Sequence, residues 1–142
     1  MNKYEALKLE NQLCFPLYAC SKEVVKKYTP HLDKLDLTYT QYLAMLVLWE
    51  HHETTVKQMG ELLYLDSGTL TPVLKKLQDK GYLSRERSKK DERSLLVRIT
   101  EKGEALKEQA LKIPAELLSC VSLDPAEIKE LYILLHKLLG SL

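Results

Sequence analysis

Asp66-Ser67-Gly68-Thr69-Leu70-Thr71-Pro72-Val73-Leu74-Lys75-Lys76-Leu77 reads as a capped helix with a small, polar leading edge. Asp66 supplies an oxygen for the free N–H groups at the helix start, and Gly81 stops the helix. Beyond it, residues 82–87 and 93–99 form two strand-like runs around a charged tip, Ser88-Lys89-Lys90-Asp91-Glu92. A helix followed by a basic hairpin suits duplex DNA. The helix fits the major groove, and the hairpin tip reaches an adjacent minor groove.

Upstream, Thr55 opens another helix, and a short turn near Tyr64-Leu65 joins the two as a helix-turn-helix. Ser67, Gly68, Thr69 and Thr71 can then approach base edges, where a threonine methyl meets a thymine methyl. Their backbone N–H groups at the helix start suit a phosphate. Lys75 and Lys76, one turn on, are placed for phosphates. No Asn, Gln or Arg leads this helix, so part of the selectivity would come from groove width and bendability. Pro72 cannot bond back to Gly68, which predicts a slight kink. Simple helix capping would also account for Ser67 and the two threonines.

In the hairpin, Arg87, Lys89, Lys90, Asp91 and Arg93 are the candidate DNA contacts. Asp91 and Arg93 have the spacing to pair, which would hold the guanidinium outward toward a narrow, electronegative minor groove. Charge supports this placement. The chain as a whole carries +1, yet residues 75–98 hold nine Lys/Arg against four acids, a local +5, leaving −4 elsewhere. Such asymmetry is what a localised polyanion-binding face requires, although an ordinary solvated hairpin would show it too.

With 142 residues, 45% hydrophobic and 29% charged, the chain is long enough for a real core and is composed like a globular protein. Its longest apolar run, Tyr42 to Trp49, is too short to span a bilayer. The N-terminus lacks the apolar core of a secretion signal. A cytoplasmic protein with no membrane partner is expected. Helix starts are marked at Thr38 with Gln41, at Thr55 with Gln58, at Thr100, and at Asp124-Pro125-Ala126-Glu127. Further helices are expected over about 9–28, 101–118 and 125–139. A DNA-reading unit needs only residues 38–100, so the terminal helices need another place for their apolar stripes. A two-fold dimer interface is one answer; packing within the chain is the other.

Three widely spaced cysteines form no secreted disulfide scaffold. They are either buried apolar groups or working thiols. Cys14, beside Leu13, Phe15 and Leu17, would ordinarily be a buried, inert hydrophobe. It becomes a sensor only if its thiolate, the form that attacks a peroxide oxygen, is stabilised. Pro16 means that the first helix either kinks or begins late, near Gln12 or Leu13. The late start would place the sulfur at a positive helix end. Cys20, about 9 Å further along the same axis, is too far to bridge Cys14.

The run from Leu63 to Leu77, the wing Asp91-Glu92-Arg93-Ser94, Asn11-Gln12-Leu13-Cys14-Phe15 and Leu37-Thr38-Tyr39-Thr40-Gln41-Tyr42-Leu43 together resemble the MarR family of winged-helix repressors, in its organic hydroperoxide sensing branch. The resemblance implies that Cys14 is the peroxidatic thiol and that Tyr28 and Tyr39 of the partner subunit hydrogen-bond it, with Tyr18 nearby. It also implies that Cys120 of the partner subunit is the resolving thiol and forms a bridge between subunits; a small cellular thiol capping Cys14 is the alternative.

The architecture expected is mainly α with a small β wing, in one domain over 1–142. A winged helix-turn-helix spans about 38–100, and dimerisation helices span about 1–30 and 101–142. The function expected is a homodimeric repressor on a pseudo-palindromic duplex operator, released by organic hydroperoxide, with no cofactor. Release by a phenolic ligand or a metal on the same scaffold is the alternative. His31, His51, His52 and His136 form no recognised metal-ligand spacing with the cysteines. A thiol peroxidase is the enzymatic rival, but no catalytic Arg or Thr accompanies Cys14 in its local sequence.

Overall fold

A computed structural model describes residues 2–91 and 93–142. Met1 and Glu92, the latter part of the charged hairpin tip, lie outside the described residues. Two short 3-10 turns, Glu5–Leu7 and Leu9–Asn11, precede α1 (Cys14–Asp33). There follow α2 (Tyr39–His51), β1 (Glu53–Thr55), α3 (Val56–Leu63), α4 (Ser67–Asp79), β2 (Leu83–Arg87), β3 (Leu95–Ile99), α5 (Glu101–Ala110), α6 (Ile113–Ser119) and α7 (Pro125–Gly140). The chain divides into two compact units, one running to Leu111 and the other spanning Lys112–Leu142. Among the described residues, no helix is long and apolar enough to cross a membrane.

The expected caps form. Thr38 with Gln41, Thr55 with Gln58 and Asp124 with Glu127 each complete a reciprocal capping box, and Thr100 caps α5. Two boundaries differ from expectation. Residues 9–11 form a 3-10 turn rather than part of the helix. Of the two readings of Pro16 the late start holds: Leu13 is the N-cap and α1 begins at Cys14, so Pro16 is the third helical residue, where an N–H has no intrahelical partner to lose. The helix expected over 101–118 is interrupted at Leu111-Lys112. Pro114 accounts for the break, because its ring clashes with the carbonyl of Ala110 and it has no N–H to donate there.

In the first unit α2 is the central helix, apolar nearly all round, with Tyr42, Ala44, Met45, Val47, Leu48 and Trp49 buried. The buried stripe of α4 is Leu70, Leu74 and Leu77, and α4 packs against α2, α3 and β2; Met59 of α3, Leu83 of β2 and Val97 of β3 are buried as well. The sheet is antiparallel in the order β1-β3-β2. Arg85 pairs with Val97 and Arg87 with Leu95, while Thr54 pairs with Val97 on the other side. The third strand, β1, was not anticipated.

Gly103 on α5 is where this packing is tightest. A Cβ there would stand 2.2 Å from the Tyr82 carbonyl oxygen and 2.9 Å from the Ile99 side chain. Its own carbonyl accepts the Trp49 indole N–H at 2.9 Å. Gly103→Ala is expected to cost about 2–3 kcal/mol through overpacking. That corresponds to a fall of roughly 5–10 °C in the thermal midpoint, read by circular dichroism. An unchanged midpoint would show that the close approach relaxes freely.

Candidate nucleic-acid interface and thiol pocket

The turn between α3 and α4 is built by backbone geometry. Tyr64 closes α3 in the left-handed region at φ 56°, and Leu65 donates its N–H to the Gly60 carbonyl at 3.0 Å. A Cβ on Gly60 would lie 2.6 Å from the Leu65 carbonyl oxygen, so only glycine admits so tight a return. Asp66 then caps α4, its carboxylate accepting the Thr69 N–H at 2.7 Å. That bond, chiefly, holds the Asp66 carboxyl below the usual carboxylate range. The cap is therefore ionised at neutral pH, and its contribution is lost only as pH falls through that lowered value.

Ser67, Gly68, Thr69, Thr71, Lys75 and Lys76 are all exposed along α4. The Thr71 hydroxyl is already engaged, donating to the Ser67 carbonyl at 2.7 Å. It leaves a methyl and a lone pair for any partner. Pro72 lies within α4, where it removes the bond to Gly68.

At the wing, Ser88 N–H bonds to the Ser94 carbonyl at 2.8 Å and closes the tip. Asp91 does not pair with the Arg93 guanidinium, as its spacing suggested. Its carboxylate instead accepts the Arg93 backbone N–H at 3.0 Å and the Ser94 hydroxyl at 3.3 Å. A short acid two residues upstream of an N–H forms a local turn in preference to a salt bridge between mobile side chains. The turn still frames Arg93, which is exposed, as are Arg87, Lys89, Lys90 and Asp91.

A cleft of about 1040 Å³ runs between the start of α3, the α3–α4 turn and the wing. Lys57, Tyr64, Ser67, Asp91 and Arg93 line it. Lys57 and the 69%-exposed Tyr64 were missed from sequence; they become visible only once the turn is folded. Some cations of the basic segment bond within the fold, as Arg85 does to Gln78 at 2.7 Å. Arg98 binds Glu53 and Glu86 across the sheet, and these acids hold its guanidinium above its ordinary pKa. Lys80 turns away toward the α1–α2 junction.

Cys14 is the first residue of α1, and no side chain caps that end. The expectation that it is buried fails in the single chain: Cys14, Cys20 and Cys120 are all free and exposed. Around it Leu13, Phe15 and Leu17 are uncovered as well.

Tyr28, Tyr39 and Tyr42 form a ring cluster, with centroids 4.9 Å apart for Tyr28 and Tyr39 and 5.7 Å for Tyr28 and Tyr42. Burial raises all three phenols above their ordinary pKa, and mutual repulsion adds to this for Tyr39 and Tyr42. They stay protonated, and remain donors, at neutral pH. Tyr18 is not in this cluster; it is exposed, with the Lys22 ammonium 5.2 Å over its ring.

Along α1, Tyr28 stands fourteen residues from Cys14, about 21 Å at helical rise. One chain therefore does not bring the thiol and the tyrosines together; a second copy would have to. In the C-terminal unit, Cys120 ends α6 with its Sγ 3.5 Å from the Glu116 carbonyl oxygen. None of the side chains of α7 is buried, and Leu131, Ile133, Leu134 and Leu138 are exposed. Among the described residues, no three His, Cys, Asp or Glu side chains gather into a metal-holding group.

The chain is similar to known proteins in sequence and in fold. A family model described as the transcriptional regulator SarA/Rot matches residues 26–110. The chain is 54% identical over 141 residues to the organic hydroperoxide resistance transcriptional regulator of Bacillus subtilis, covering 99% of this chain and 96% of that one. Among solved structures it is similar to reduced AbfR bound to DNA, at 34% identity and a TM-score of 0.83 over 99% of this chain and 96% of that one. AbfR, a Staphylococcus epidermidis protein, is also solved in a disulfide form. The match to that form has 35% identity and a TM-score of 0.64, over 98% of this chain and 92% of that one.

Proposed function

The chain belongs to the MarR-type winged-helix transcriptional regulators, in the branch of the organic hydroperoxide resistance regulators, and from this premise we propose how its parts divide the work. It is a homodimeric repressor that binds a pseudo-palindromic duplex operator while Cys14 is reduced and releases it when organic hydroperoxide oxidises that thiol. The observation that carries the reading is the near-full-length likeness to a hydroperoxide resistance regulator, in a chain whose Cys14 stands exposed at a helix start. Its place of action is the cytoplasm, where its DNA is.

Each subunit sets α4 in a major groove, with Ser67, Gly68, Thr69 and Thr71 at base edges and Lys75 and Lys76 at phosphates. Arg93 enters the adjoining minor groove, and Arg87, Lys89, Lys90 and Asp91 settle the wing on the backbone. The α1, α6 and α7 faces left uncovered in one chain meet across the two-fold axis, which brings Tyr28 and Tyr39 of the partner subunit to Cys14. Their hydroxyls donate to the thiolate, with Tyr18 at the rim.

The thiolate attacks the terminal peroxide oxygen. A sulfur–oxygen bond forms, the oxygen–oxygen bond breaks, and the alkoxide leaves and takes up a proton as the alcohol. Sulfur has given up two electrons, and the product is sulfenic acid. The thiol of the partner subunit's Cys120 then displaces this hydroxyl as water and forms a disulfide. The bridge draws on the dimer helices, and the two recognition helices lose their half-site spacing of about 34 Å. A coupling of about 1–3 kcal/mol is enough to weaken binding roughly 5- to 150-fold. This chemistry is spent once per thiol, so the chain is a stoichiometric sensor and not a turnover enzyme.

The test is fluorescence anisotropy on a duplex selected from random sequence by the reduced protein. Hydroperoxide should release it and dithiothreitol should restore it. Oxidised protein should run on a non-reducing gel at roughly twice 16.4 kDa. Cys120→Ser should run as a monomer and, after about ten equivalents of peroxide, recover under half of its binding, because an unresolved sulfenic acid goes on to irreversible states. Full recovery by Cys120→Ser would assign resolution to a small thiol instead.

A further inference from the structure

Lys80 closes α4 and looks at first like one more cation of the basic segment, but it points inward. Its side chain is 28% exposed. The ammonium donates to the backbone carbonyl of Asp36 and, at 3.2 Å, to Oε1 of Gln41. The Asp36 carboxylate stands 3.5 Å away, but it is 86% exposed, and so open a pair holds little by itself. The carbonyl and the amide oxygen are the better anchors.

Gln41 is only 3% exposed, and the same Oε1 accepts the Thr38 N–H at 3.1 Å as half of the α2 capping box. Asp36 holds a left-handed φ of 54°, a conformation that residues other than glycine seldom adopt. On the other side of the same junction, Lys102 of α5 donates to the Lys80 carbonyl at 2.8 Å, and the Thr100 hydroxyl donates to the Gly81 carbonyl at 2.6 Å. The C-terminal end of α4 is thus bound at once to the start of α2 and to the start of α5. Tyr39, the first residue of α2, lies between Thr38 and Gln41 and carries the ring that packs, tilted, against Tyr28.

We propose that Lys80 is a positioning residue that couples the tyrosine platform of the thiol pocket to the recognition helix. The inference rests on the redox reading of Cys14. A shift in the first turn of α2, when Tyr39 loses its bond to the thiolate, moves Gln41 Oε1 and the Asp36 carbonyl. Hydrogen bonds hold their length within a few tenths of an ångström, so the ammonium carries the shift into the end of α4. Without that link, α2 moves and α4 is free to stay in its groove.

The experiment compares Lys80→Met, of similar length but without donors, with Lys80→Arg and the wild type. Operator affinity is measured for reduced and for cumene-hydroperoxide-treated protein across a salt series, with thermal midpoints alongside. In Lys80→Met, reduced affinity should stay within about threefold of wild type, and the loss on oxidation should shrink about tenfold. Lys80→Arg should restore most of that loss. Release of Lys80→Met as complete as that of the wild type overturns the proposal. So does an equal weakening of both states, which marks a purely structural role, or, when the salt slope also falls by about one, a phosphate contact. If the wild type itself is not released, the redox reading fails and this inference fails with it; if the wild type is released and only the variant behaves unexpectedly, the redox reading stands alone.

Discussion

Cys14→Ser should bind the selected duplex as tightly as the wild type when reduced, and should keep it through a hydroperoxide challenge that empties the wild-type complex. Serine replaces sulfur by a smaller oxygen at the first position of α1. It costs the fold little, because that side chain is exposed. A serine hydroxyl is not ionised at neutral pH and does not attack an oxygen–oxygen bond. The response should therefore vanish entirely, whereas a change in Cys120 alters only the fate of the sulfenic acid once it has formed. Cys20 is an internal control, because it is also exposed and lies on the same helix. If Cys14→Ser still lets go of DNA on oxidation, the sensing thiol is one of the other two.

Arg93→Ala should weaken reduced binding by about ten- to a hundredfold, that is by about 1–3 kcal/mol, and lower the salt slope by about one. The magnitude comes from its position. Asp91 spends its carboxylate on the Arg93 N–H and the Ser94 hydroxyl, which fixes the tip and, among the described residues, leaves the guanidinium exposed and not paired with Asp91. An arginine presented in this way enters a narrow minor groove, where the potential is strongest. Lys89→Ala, by comparison, removes a single phosphate contact and should cost under tenfold while lowering the salt slope by a similar amount. Equal losses at both positions would make Arg93 one more phosphate contact, and no loss at either would move the wing off the DNA.

Much of the fold was legible because caps and breakers act locally. Thr38, Thr55, Asp66, Thr100 and Asp124 each announce a helix through an oxygen aimed at N–H groups two or three residues on, and all five do so in the structure. Glu53–Thr55 escaped because three residues carry no periodicity, and they become a strand only by pairing with β3. The break before α6 could have been read from Pro114.

The site was less legible for a different reason. Lys80 and Arg98 were counted as DNA-facing charge, but distant partners, Asp36 with Gln41 and Glu53 with Glu86, claim them. The exposure of Cys14 and its separation from Tyr28 also depend on where α1 starts and how far it runs. Local sequence gives the residue types, whereas tertiary neighbours decide which of them stay available.

The most direct measurement titrates cumene hydroperoxide into the reduced protein bound to its selected duplex. Anisotropy tracks the release, and mass spectrometry of the same samples locates the oxygen or disulfide. The account predicts that release parallels modification of Cys14 and is complete at about one equivalent per subunit, with no further peroxide consumed in the absence of a thiol reductant. Full oxidation of Cys14 with the duplex still bound, or release that precedes any change at Cys14, would contradict it.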